Sequence, residues 1–167
     1  SAVVFLQGQI AAFRARSDEA KAFFRETLAL DPEHVRARFA LAQELERDGG
    51  EALLEAQREL DSIVDLRPEN LAVLVLRARV AAQREDGPGL RDTVQRLRML
   101  TDGWAELAVT QLDALDDAVN VGDLGRAATL AQLLRNVLVR APAFREDQAE
   151  VSVSAELIAD PLVRFLE

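Results

Sequence analysis

Few side chains in this sequence could do chemistry. There is one histidine, His34, in the stretch Asp31-Pro32-Glu33-His34. A histidine can act as a general base, but it needs a nucleophile or carboxylate set against it by the fold. Asp31 and Glu33 are merely its neighbours along the chain, so His34 reads as an exposed turn residue. The segment LDALDD, Leu112 to Asp117, places Asp113 one helical turn from Asp116 or Asp117. Carboxylates at that spacing can hold a hard cation, yet the segment lacks the oxygen count that Ca²⁺ needs. A solvated helix face is the simpler reading. The charged run Glu44, Glu46, Arg47 and Asp48 reads the same way. No GxSxG, Walker or GxGxxG motif occurs, and Gly87-Pro88-Gly89 reads as a turn. Trp104, directly after Asp102-Gly103, is expected to pack into a turn between helix pairs rather than anchor an interface. On these residues the chain is not an enzyme and calls for no metal or cofactor.

Composition narrows the class further. Hydrophobic residues make up 49% of the 167, but aromatics only 5%, with no Tyr, so the apolar mass is Ala, Leu and Val. That is the material of closely packed helices. The net charge of −9 speaks against a nucleic-acid partner, which needs a basic footprint, and against an anionic membrane surface. No apolar run approaches the ~20 residues of a membrane span. All the basic residues except Lys21 are Arg, a bias that suggests a GC-rich bacterial genome. Without cysteine there is no disulfide framework, and the compartment stays open between cytoplasm and periplasm. The chain opens on Ser1 inside an apolar pattern, which reads as a piece of something longer.

The positions that could bind something depend on a repeat. LALDPEHVRARFALA, from Leu28, is echoed by VDLRPENLAVLVLRA, from Val64. Turn signals fall at Asp31-Pro32, Arg67-Pro68, Asp102-Gly103 and Ala141-Pro142, with gaps of 36, 34 and 40 residues between Pro32, Pro68, Asp102 and Pro142. A second breaker splits each block: RSDE from Arg16, RDGG from Arg47, EDGPG from Glu85 and NVGD from Asn120. Proline removes an amide donor and pushes its predecessor out of the helical region. Ser17 and Asp123 are suited to cap the helices that follow. The pattern predicts eight helices as four antiparallel pairs, with apolar residues at helical spacing and no strand-like alternation.

These blocks resemble the tetratricopeptide repeat, a 34-residue helix pair of pattern W-x2-L-G-x2-Y, A-x3-F, P. The first unit offers Gly8, Ala11, Ala20, Phe24 and Pro32; the second Leu41, Ala42, Leu45, Ala56, Leu60 and Pro68. The third offers Leu74, Ala78, Ala81, Leu90 and Val94, with Asp102 where proline is usual. The fourth, with Ala108, Leu112, Leu115, Leu130, Leu134 and Pro142, is degenerate. The resemblance covers residues 1–142 and implies a right-handed α-α superhelix, a solenoid. Ala20, Phe24, Leu41, Ala42, Ala56, Leu60 and Ala78 should be buried where helices meet.

In that family the first helix of each pair lines a concave groove that takes a peptide. The corresponding face here carries an apolar row, Phe5, Phe39, Val75 and Val109, and a polar row, Gln9, Gln43, Arg79 and Asp113. Arg36 adds a cation. The resemblance therefore implies a peptide-binding site of Phe5, Gln9, Arg36, Phe39, Gln43, Val75 and Arg79. The Lys and Asn with which chaperone-tail binders hold two carboxylates are missing. The competing reading is a groove that the protein covers itself, in a structural spacer or oligomerisation module.

Residues 143–167 leave the pattern. A polar stretch is followed by Leu157, Ile158, Leu162, Val163, Phe165 and Leu166. These suit a cap over the fourth pair, since a repeat array must hide its open end; a domain junction is the alternative. LLRNVLVRAPAF and PLVRFL also resemble, more faintly, repeat segments that precede β-propeller domains in exported bacterial multidomain proteins.

Overall fold

The computed structural model describes residues 1–152. Within them the chain is all-α, an array of helix pairs with no strand. The first two pairs are α1 (Ala2–Phe13) with α2 (Ser17–Leu30) and α3 (Val35–Asp48) with α4 (Ala52–Leu66). Then come α5 (Leu71–Gln83) with α6 (Gly87–Arg98), and α7 (Glu106–Asn120) with α8 (Leu124–Leu138). A ninth helix, α9 (Pro142–Val151), follows. The eight segments expected from the turn signals are α1 to α8. The second helix of each pair also packs on the first helix of the next, as in a helical-repeat solenoid.

Capping explains where the helices start. Side chains of Asn70, Asp86 and Asp123 each accept a hydrogen bond from the amide three residues on, which satisfies a donor the helix cannot. Asp123 performs its expected role. Ser17 does not: α2 starts on it, and its hydroxyl donates to Glu44 Oε2 at 2.8 Å instead. Gly87-Pro88-Gly89 is not a turn but the first turn of α6, where a proline's missing N–H costs nothing. His34 is half-buried rather than exposed. Its Nδ1 accepts from Ala37 N at 3.1 Å, capping α3, and its ring lies 4.7 Å from that of Phe5.

All seven residues expected at helix contacts, from Ala20 to Ala78, are buried. The spacing of small residues has a visible reason at Gly8, where a β-carbon would fall 2.6 Å from the Phe24 ring. Trp104 packs part-buried against the core, as expected.

The two charged segments differ: Asp113 and Asp117 are exposed, as a solvated face requires, whereas Glu44 and Glu46 are less solvated than their sequence suggests. Asp113 and Asp116 both bind the Arg98 guanidinium, at 2.8 and 2.7 Å, and so tie α6 to α7. Glu44 is only 4% exposed and bonds both Ser17 and Arg47. Glu46 pairs with Arg79, and Asp48 with Lys21. Arg47 lies three residues from Glu44 on the same helix, but the other partners lie on different helices, where the one-dimensional pattern of a wet face misses them.

The array closes at its far end. α8 packs not only on α7 but back onto α5, and α9 lies across α5 and α3. Helix α5 is therefore enclosed by α4, α6, α8 and α9, and it is apolar on nearly every side, with ten of its 13 residues buried. A helix apolar all round requires such enclosure. Its two charged side chains are each neutralised, Arg77 by Asp61 and Asp92 and Arg79 by Glu46. The described part of the tail thus covers the inner face of the second and third pairs. The expected seat of Leu157 to Leu166 on the fourth pair lies outside the described residues.

Candidate functional site: a groove reduced to a cleft

The concave face is where the sequence placed a site, and it is largely filled. Phe39 on α3 and Val75 on α5 are 3% and 2% exposed. Phe5 is 8% exposed, wedged between the rings of Phe24 and His34. Those three residues of the apolar row are core, while its fourth, Val109, is half-buried. Arg36 is exposed, but it turns to α9: its Nε donates to the carbonyl oxygen of Glu150 at 3.1 Å and its Nη2 to that of Ala149 at 3.4 Å. A cation on the last carbonyls of a helix also complements the helix dipole.

Further bonds seat α9. The Leu71 amide donates to Asp147 Oδ2 at 2.7 Å, and Asn70 Nδ2 donates to the Asp147 carbonyl at 3.0 Å. Arg67 pairs with Glu150. Partial burial pushes the Asp147 carboxyl above its usual range; the bond from Leu71 opposes this, and the charges of Glu150 and Glu146 add to it. Below this network Phe144 and Val151, spaced by two turns, are buried.

What remains of the groove is a cleft of about 270 Å³ bounded by α3, α5, α8 and α9. It is lined by the apolar Phe39, Val75 and Phe144 and by the polar Gln43, Glu46, Arg47, Arg79, Arg135 and Gln148. Arg79 Nη2 lies 2.7 Å from Glu46 Oε1. Burial lowers the Arg79 pKa; Glu46 partly restores it and Arg135 lowers it again. The structure therefore brings together Phe39, Gln43, Val75 and Arg79. Gln9 lines a separate shallow depression with Phe13 and Gln43, Phe5 packs beneath His34, and Arg36 holds α9.

Sequence reasoning missed Arg135, Phe144 and Gln148. A signal existed for two of them: Pro142 opens a short segment in which Phe144, Gln148 and Val151 share one helical face. For Arg135 there was none, because its position depends on α8 folding back onto α5.

The described residues contain no group of three His, Asp or Glu placed to hold a metal ion, and no helix among them is long and apolar enough to cross a membrane. Comparison with known proteins adds no relative: no family model, no curated protein and no solved structure matches the chain.

Proposed function

We propose that this chain is a non-enzymatic, tetratricopeptide-like structural module, a spacer within a larger protein that fills its own concave face. The supporting observation is the burial of Phe39 and Val75 on the two helices, α3 and α5, across which α9 lies. An extended peptide needs a continuous apolar strip with free backbone partners or pockets along it. Here α9 takes that strip, and Arg36, Asn70 and Leu71 spend their hydrogen bonds on it. Protein contacts then fall to outer helix faces rather than the groove.

A peptide-binding module is the second reading. It requires α9 to leave, and the exposed setting of the Arg67–Glu150 pair makes departure the step to measure. Native-state hydrogen exchange tests the choice. In a structural module the amides of α9 exchange only through the global unfolding that also releases α5. Exchange of α9 several kcal/mol below the global value would mean the cover opens on its own, and would favour the peptide groove.

A further inference from the structure

The cleft holds more positive charge than its walls balance. Three arginines, Arg47, Arg79 and Arg135, line it against one carboxylate, Glu46, in a chain whose net charge is −9. Arg47 has its own partner in Glu44, and Glu46 engages Arg79 through Nη2. The Arg135 side chain makes no hydrogen bond or ion pair with any other described residue. Its charge contributes, after burial, to lowering the Arg79 pKa. Side-chain amides of Gln43 on α3 and Gln148 on α9 line the same space and are likewise without a partner among the described residues. Like charges held together in a partly dry cleft raise the energy of the folded state. Local features that work against stability are where function is to be sought.

We propose that this cleft is a binding site for a compact oxyanion carrying two negative charges, a phosphate or a short dicarboxylate. Arg135 is its main anchor, the open side of the Arg79 fork its second, and the amides of Gln43 on α3 and Gln148 on α9 donate to it. Planar guanidinium forks match carboxylate and phosphate oxygens. The volume, about 270 Å³, is far above the ~10–15 Å³ that a single water needs, and so admits a small anion. The site goes beyond the structural role proposed above, and needs α9 seated because Gln148 lines it.

The test uses the full chain, titrated separately with inorganic phosphate and with succinate, each against sodium chloride at equal ionic strength. Calorimetry and thermal melting are read together. Saturable binding and a rise in Tm are expected for at least one anion. Phosphate alone would assign phosphate chemistry, succinate alone a dicarboxylate, and both the dianion class. Arg135→Gln should weaken binding tenfold or more while raising the Tm of the unliganded protein, because it removes a cation that faces another. Arg126→Gln, on the exposed side of α8, should change neither. Binding no better than chloride, binding that survives Arg135→Gln, or a lower unliganded Tm in that variant would each overturn the proposal. Hydrogen exchange of α9 in Arg135→Gln separates loss of the anchor from loss of the cover: protection should be unchanged.

Discussion

Arg36 Nε donates to the Glu150 carbonyl across 114 residues of sequence, at 3.1 Å. This bond joins the first turn of α3 to the last turn of α9, and so ties a position expected to greet a partner to the chain's own tail. Arg36→Ala should weaken the seating of α9. The bond is exposed, so the loss should be about 0.3–1 kcal/mol, the range for a cation at a helix C-terminus. Because α9 of a structural module exchanges only with the whole fold, hydrogen exchange should show the same loss at α9 and at α5. Equal protection of α9 in variant and parent would mean that the Asp147 and Asn70 bonds suffice.

Gly8 and Phe24 are packed so closely that α1 and α2 leave no room for a methyl group, which would sit 2.6 Å from the ring. Gly8→Ala gains up to about 1 kcal/mol of helix propensity. Overpacking against a fully buried phenylalanine costs about 1–3 kcal/mol. The second effect should win, and the urea midpoint should fall. A raised midpoint would show that Phe24 can move aside.

These two sites show which parts of the molecule were legible in its sequence. Gly8, Ala42 and Ala78 recur with the repeat because every pair needs a small residue where its helices touch, so the core could be read from spacing. The groove could not. Its state depends on α8 and α9 returning to α5, and that return is written in side chains without periodicity: Phe144 and Val151, buried on α9, and Asn70, half cap and half clasp. Glu44 misled for the same reason, since its partner Ser17 is 27 residues away.

Ala15 and Glu85 adopt φ of 58° and 56° at the ends of α1 and α5. A left-handed conformation costs a residue with a β-carbon roughly 1–2 kcal/mol, whereas glycine takes it freely at the expense of unfolded-state entropy. Both side chains can therefore be removed to advantage. Ala15→Gly should stabilise the fold by about 0.5–1 kcal/mol, measured as a higher urea midpoint at constant m. Glu85→Gly should behave alike. A lower midpoint in both would show that entropy outweighs strain at these turns.

Asp147 gives the cover a pH dependence of unusual sign. Its folded-state pKa is raised, chiefly by burial and further by Glu150 and Glu146, against the bond from Leu71. A carboxyl with a raised pKa favours the fold when protonated: its contribution is complete below the ordinary aspartate value and is lost as pH rises through the folded value. Asp86 and Asp92 work in the opposite sense. Burial pushes both up, but Gln57 and the Gly89 amide at Asp86, and Arg96 and Arg77 at Asp92, bring them below the usual range. Their contributions are present above the ordinary value and disappear on acidification. They should dominate acid unfolding in parent and variant alike, so the informative quantity is the difference between the two. Asp147→Asn keeps an oxygen for the Leu71 amide and removes the charge. At pH 7 its Tm should equal or exceed that of the parent. The gap should narrow as pH falls through the folded pKa towards the ordinary aspartate range, where the parent's carboxyl is protonated too. A variant less stable than the parent by the same margin at every pH would show that the hydrogen-bond geometry, not the charge, governs how α9 is held.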